Sequence, residues 1–192
     1  MNVCVFAASS SRIDGIYAKA ASELGALLAE SGQRILYGGG GIGLMGSLAD
    51  AALDKGGSVI GVIPGFMVSE GWDHKLVSDM VVTKDMGERK KWLFDHADAV
   101  VALPGGIGTL EELTEAITLK QLGIYKGPVI MLNTSGFYNK FIEFMDQLVE
   151  GHFLRLEHKD IWEIVEKPSE VIEALSQYRG WMDDPRKIAR IV

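Results

Sequence analysis

Short runs of unbroken apolar residues, each closed by a turn of glycine, proline or serine and followed by a helical repeat, constrain this chain most. Residues 3–8 run into Ser9-Ser10-Ser11, and residues 34–37 run into Gly38-Gly39-Gly40-Gly41. Residues 58–63 stop at Pro64-Gly65, and residues 99–103 stop at Pro104-Gly105-Gly106. A strand that is apolar throughout, rather than at every second residue, is covered on both faces. Regular alternation with helices then implies a mostly parallel, doubly wound sheet of the α/β class. In such sheets ligands lie off the carboxyl ends of the strands. The four turns named above are therefore expected to converge on one crevice.

Helical spacing of apolar residues is read over 17–31, 44–55, 86–96, 109–122, 138–150 and 169–178. Residues 80–83, 128–132 and 161–165 read as further strands, and 66–78 as an irregular loop carrying Glu70, Trp72 and His74. No repeat or linker divides the chain, so one domain is expected over 1–192. Residues 179–192 form a mixed charged and apolar tail that packs on a partner subunit or stays loose. With 192 residues and 47% hydrophobic content a substantial core is available. The net charge of −7 argues against broad binding to nucleic acid or an anionic membrane. An anionic ligand must then be caught locally. Cys4 is the one cysteine, so no internal disulfide can form, and its place in an apolar run makes it an inert core thiol. A signal pattern is missing, and no apolar run reaches the ~18 residues of a membrane span, so a cytoplasmic protein is expected.

The stretch Leu103-Pro104-Gly105-Gly106-Ile107-Gly108-Thr109-Leu110-Glu111-Glu112 carries the chemistry. A strand ends there and a helix is expected to begin near Thr109. Unpaired amides at a helix start, with the positive end of its dipole, attract anions. The turn reads as a phosphate seat with the Glu112 carboxylate one turn inside the helix. Thr109-x-x-Glu112 is equally a capping box, in which the glutamate only bonds the first backbone amide. Arg89 shares the apolar stripe of Met86 and Leu93, which points its guanidinium inward. It then meets either a ligand anion or a structural partner such as Glu112. Lys91 reads as solvated surface.

Gly38-x-Gly40-x-x-Gly43 and Gly41-x-Gly43-x-x-Gly46 match the dinucleotide fingerprint, but they follow the second strand rather than the first. No acidic residue follows the third strand to hold a ribose. Tight strand-to-helix packing is the favoured reading of these glycines. The P-loop pattern fails for want of a lysine before Ser47. His74, His96, His152 and His158 show no ligand spacing, so no metal is expected; His158 is assigned to the surface, and His74, on the long loop, either approaches a ligand or, by default, lies at the surface. Ser9 and Ser10 cap a turn or bind phosphate. Without a Gly-x-Ser-x-Gly elbow, no serine nucleophile is supported.

Pro104-Gly105-Gly106-Ile107-Gly108-Thr109-Leu110-Glu111-Glu112 resembles the PGGxGTxxE signature of the LOG (Lonely Guy) proteins, long mislabelled as possible lysine decarboxylases. Met86-x-x-Arg89-Lys90 resembles the companion motif, and the segment from Tyr37 to Gly46 is similar to the family's glycine turn. The resemblance implies a Rossmann-like three-layer sandwich and a homodimer. It also implies hydrolysis of the N-glycosidic bond of AMP or cytokinin riboside 5′-monophosphates to free base and ribose 5-phosphate. Glu112 and Arg89 would be the catalytic pair. Gly105, Gly106, Gly108 and Thr109 would hold the 5′-phosphate. Met86, Lys90, Ile107, Leu110 and Glu111 fall in matched substrate-binding segments, and Glu70 corresponds, with one residue of offset, to an upstream substrate-binding glutamate. Gly87 and Ile107 stand where the family usually carries His and often Tyr, which bears on base preference. No cofactor is required. The chemistry suits the reading, because cleavage builds positive charge on the ribose that a nearby carboxylate stabilises. The alternative is a non-catalytic carrier of a phosphorylated nucleotide or pterin. Lysine decarboxylation lacks a recognisable cofactor lysine.

Overall fold

The computed structural model describes residues 1–182, 184 and 185. Its strands are β1 (Asn2–Phe6), β2 (Arg34–Tyr37), β3 (Ser58–Pro64), β4 (Asp79–Thr83), β5 (Ala99–Ala102), β6 (Val129–Leu132) and β7 (Glu163–Val165). They form a seven-stranded sheet in the order β4-β3-β2-β1-β5-β6-β7. Every strand pair in it is parallel, so the sheet is wholly rather than mostly parallel.

The unbroken apolar runs are explained by two covered faces. Side chains of a strand alternate between faces. Val3, Val5, Ile35, Tyr37, Val101 and Ile130 pack with α1 (Gly15–Glu30), α2 (Gly43–Asp54) and α7 (Pro168–Gln177). Cys4, Phe6, Leu36, Val100, Ala102 and Met131 pack with α4 (Met86–His96), α5 (Ile107–Gln121) and α6 (Asn139–Glu150). This is the expected three-layer, doubly wound arrangement.

Local chemistry shifts several expected boundaries. The first helix starts two residues before the expected position, because the Asp14 carboxylate accepts from the Ile16 amide at 3.0 Å and fixes its entry. The stretch expected to be irregular holds a short helix, α3 (Gly65–Ser69). Pro64, extended at the end of β3, sets its start, and Gly71, at φ +74°, closes it. Residues Leu156–Ile161 form a 3-10 turn where the last strand was expected to begin. His158, expected at the surface, is only 3% exposed there. Its Nδ1 accepts from the Arg155 amide at 3.2 Å, and its ring lies beside Trp181. The first residues of the tail pack on their own chain, Trp181 Nε1 donating to the Glu157 carbonyl at 3.2 Å. Residue 183 and residues 186–192, which carry the rest of the expected tail, lie outside the described residues. No described helix is long and apolar enough to cross a membrane.

The strand order reverses at β1. The chain builds outward from β1 through β2 and β3 to β4, then returns to place β5 on the other side of β1. The turns after β1 and β5 therefore part company and leave a crevice between them, though their first residues still meet (Ala8 N to Pro104 O, 3.3 Å).

Candidate active site

The crevice at this reversal encloses about 630 Å³, inside the ~300–1,000 Å³ range of small-molecule sites. Three of the four expected turns line it directly: Ser9 and Ser10, the glycine turn at Gly38, Gly40 and Gly41, and Gly106 to Thr109. The fourth contributes through its neighbours Ile63 and Met67 rather than through Pro64 and Gly65.

Arg89 and Glu112 form its floor. Asp85 caps α4 by accepting from the Glu88 amide at 2.9 Å, while the Glu88 carboxylate accepts from the Lys84 amide at 2.7 Å. That start sets the rotation of α4 and turns Arg89 under the sheet's carboxyl edge. Arg89 Nε donates to the Val62 carbonyl at 2.9 Å, and Nη1 donates to Glu112 Oε1 at 2.6 Å. Both residues are 7% exposed. A Cβ on Gly38 would lie 2.4 Å from Arg89 Nη2, so a glycine there leaves the guanidinium its place. This is a role for Gly38 that the fingerprint reading missed. Burial raises the Glu112 carboxyl above the usual carboxylate range, and the Arg89 charge opposes that rise in part. Cys4, beneath the pair, is a fully buried thiol pushed well up by burial, in keeping with an inert role.

The capping box is not formed. The helix begins at Ile107 with Gly106 as its N-cap, two residues before the expected start, and no side chain caps it. Thr109 thus lies inside the first turn, where its side chain packs onto Gly105. A Cβ on Gly105 would meet Thr109 Oγ1 at 2.1 Å. Glu112, released from capping, reaches Arg89. The early amides of α5 at Ile107, Gly108 and Thr109 have no backbone partner in the preceding turn, and Thr109 Oγ1 has no protein partner among the described residues. They face the crevice as unpaired donors at the positive end of a 15-residue helix. The glycine turn differs. There the Ala8 carbonyl accepts from the Leu44 and Met45 amides, at 2.9 and 3.3 Å, and occupies the start of α2. The sequence that looks most like a dinucleotide fingerprint is therefore not the open anion seat.

Other expected site residues divide cleanly. Ser9, Ser10, Met86, Gly106, Ile107, Gly108 and Thr109 line the crevice together with Arg89 and Glu112. Gly105, Leu110, Glu111, Lys90 and Glu70 are not among its lining residues. Lys90 instead bonds Glu111, and lies 2.8 Å from Glu115, tying α4 to α5 beside the buried pair. Glu70 is exposed at the end of α3. Ile42, Met45, Met67 and Trp72 are apolar lining residues of the crevice that the sequence reading did not assign. Their only signal was their position flanking the glycine turn and on the loop after β3. No cluster of three or more potential metal ligands occurs among the described residues.

A parallel α/β sheet with an unpaired helix start and a buried Arg–Glu pair at its reversal point defines a Rossmann-like protein with a small-molecule crevice. Residues 45–175 match the family described as "Possible lysine decarboxylase". The rice (Oryza sativa subsp. japonica) protein named probable cytokinin riboside 5′-monophosphate phosphoribohydrolase LOGL2 is 42% identical over 92% of this chain and 72% of its own length. The Arabidopsis thaliana cytokinin riboside 5′-monophosphate phosphoribohydrolase LOG1 is 42% identical over 92% of this chain and 83% of its own. The chain belongs to the LOG family. Among solved structures, the molybdenum cofactor carrier protein of Chlamydomonas reinhardtii superposes with a TM-score of 0.70 at 24% identity, covering 92% of this chain and 96% of that one. The likeness at that identity is one of fold.

Proposed function

We propose that this chain hydrolyses the N-glycosidic bond of AMP or of cytokinin riboside 5′-monophosphates, releasing free base and ribose 5-phosphate. The observation that carries this reading is the buried Arg89–Glu112 pair set beside the unpaired amides of α5 in one crevice. The relatives' names supply the substrate class. In this reading the 5′-phosphate sits on the Ile107, Gly108 and Thr109 amides and the Thr109 hydroxyl. The ribose lies over Glu112, and the base lies against Ile42, Met45, Met67 and Trp72, an apolar and aromatic wall suited to a purine.

Bond breaking moves the C1′–N9 electron pair onto the base and leaves positive charge on the ribose. The Glu112 carboxylate stabilises that charge and orients the water that adds to C1′. The proton lost by the water ends on the departing base. Arg89 holds Glu112 ionised and aimed, and its second Nη is free to meet the substrate. Lys90 and Glu111 support this geometry by joining α4 to α5, rather than by touching substrate. We also propose a homodimer acting in the cytoplasm, to be checked by sedimentation of the purified chain and by localisation of a tagged copy.

Incubation with AMP and with an N6-alkylated AMP, followed by chromatography, is expected to yield free base and ribose 5-phosphate in equal amounts. Glu112→Gln is expected to lower kcat by about 10²–10⁴-fold while the fold persists. Full activity in that variant removes Glu112 from the mechanism, and no base release by the native chain removes the reaction.

A further inference from the structure

His74 was assigned to the surface, yet it is 6% exposed and is bonded on every side. Its backbone amide donates to the Gly39 carbonyl at 2.9 Å. Its ring Nδ1 accepts from the Leu76 amide at 3.2 Å, which leaves Nε2 as the nitrogen that bears hydrogen. Nε2 in turn donates to Asp50 Oδ1, on α2, at 3.0 Å. Two further links run beside it. Gly40 and Asp73 form an antiparallel bridge, and the Gly41 amide donates to the Trp72 carbonyl at 3.2 Å. A Cβ on Gly41 would lie 3.2 Å from His74 Cα, so the loop and the glycine turn are in direct backbone contact.

These links tie the loop after α3 to two adjoining parts of the chain well before it in sequence, the turn after β2 and helix α2. The loop carries Trp72, which lines the crevice although half of its surface is exposed. An aromatic ring that is half exposed has little packing of its own to hold it, so its position depends on the backbone beneath it. That backbone is held by the Gly41–Trp72 and Gly40–Asp73 links and, two residues on, by the buried His74 ring.

We propose that His74, anchored by Asp50, is a positioning residue that holds the Trp72 wall against the glycine turn and so sets the affinity of the crevice for the base of its substrate. His74 itself touches no substrate. The early amides of α5 and the hydrogen bonds that hold the Arg89–Glu112 pair, to Val62 and between the two side chains, do not pass through this link. The proposal rests on the nucleotide reading given above and assigns one end of the crevice within it.

The test uses two ligands that are not turned over: ribose 5-phosphate, and a carbon-linked AMP analogue that has no N-glycosidic bond to break. Both are titrated calorimetrically into the native chain, into His74→Ala, and into Asp50→Ala, which removes the anchor without substituting any residue of the loop. His74→Ala is expected to weaken the analogue by about tenfold, with ribose 5-phosphate binding unchanged within about twofold. Asp50→Ala is expected to weaken the analogue by a smaller factor, and Asp50→Asn, which keeps an acceptor for Nε2, to restore it. In turnover, the matching signature is a raised KM for AMP at unchanged kcat. Equal weakening of both ligands, or unchanged analogue binding in a folded His74→Ala or Asp50→Ala chain, overturns the proposal. Should His74→Ala fail to fold, the Asp50 pair of variants decides it. A native chain that binds neither ligand removes the nucleotide reading itself, and this inference with it.

Discussion

Glu112 is held in a position that a carboxylate does not choose. It is 7% exposed, its charge is balanced by one guanidinium at 2.6 Å, and burial still leaves its pKa raised. The sign of the consequence is fixed. A glutamate whose folded pKa is raised needs a higher pH than an exposed one before it ionises. If the ionised form does the chemistry, kcat/KM falls on the acid side through an apparent pKa above 4.5, the ordinary glutamate value. A pH–rate profile checks this, and an acid limb at or below that value contradicts it. The same raised pKa means that burial of the ionised group weighs against folding. That cost is absent below about pH 4.5, grows as pH rises from there toward the folded pKa, and is constant above it. Gly38 is the second sensitive residue. Gly38→Ala puts a methyl 2.4 Å from Arg89 Nη2 and must displace the guanidinium. It is expected to lower kcat/KM by about 10²-fold, since small misplacements of a reacting group have effects of that order. AMP cleavage in the purified variant checks this, with circular dichroism to confirm the fold.

Among the elements, α1 and α2 are in tight contact where Gly25 faces the Leu48 carbonyl, only 2.2 Å from where a Cβ would stand. Backbone cannot move aside as a side-chain tip can, so Gly25→Ala is expected to destabilise the fold by about 1–3 kcal/mol. Denaturant titration measures the loss, and AMP cleavage per folded molecule is expected to stay within about twofold, because the contact lies away from the crevice. The strands were legible in the sequence because burial on both faces leaves an unmistakable unbroken apolar run. The crevice was legible for a related reason, since every such run must end in a turn at the same edge. What stayed open was pairing across distance: the sequence allows Arg89 two partners, Glu112 or a ligand anion. Thr109-x-x-Glu112 fits a capping box in local terms, and only the arrival of Arg89, 23 residues earlier in sequence, decides that Glu112 points elsewhere. His74 and His158 looked like surface residues because the groups that cover them come from other segments: α2 and the glycine turn for one, Trp181 for the other. Lys90 and Glu111 pair with each other across α4 and α5, a contact that neither motif announces.

For the molecule as a whole, stability carries a cost far from the crevice. Lys120, at the end of α5, is 2% exposed, with its ammonium 4.7 Å from the centre of the Tyr178 ring. Burial lowers its pKa from 10.5 to about 8. Below about pH 8 the charged form is buried and weighs against folding. Between about pH 8 and 10.5 the unfolded chain still binds the proton and the folded chain does not, so stability rises with pH across that window. Lys120→Met is therefore expected to stabilise the protein at pH 7 by about 1–3 kcal/mol. Its advantage is expected to shrink toward pH 10, as thermal melts at the two pH values would record, and an advantage that grows with pH refutes the assignment. A different economy governs the two glycine-rich turns. The Ala8 carbonyl accepts from the Leu44 and Met45 amides at the mouth of α2, where a dinucleotide-binding protein of similar outline would seat its pyrophosphate, while the amides that open α5 have no such partner among the described residues. On the nucleotide reading proposed above, a molecule with a pyrophosphate bridge is expected to bind more weakly than a monophosphate, a discrimination made by a peptide oxygen rather than by a side chain.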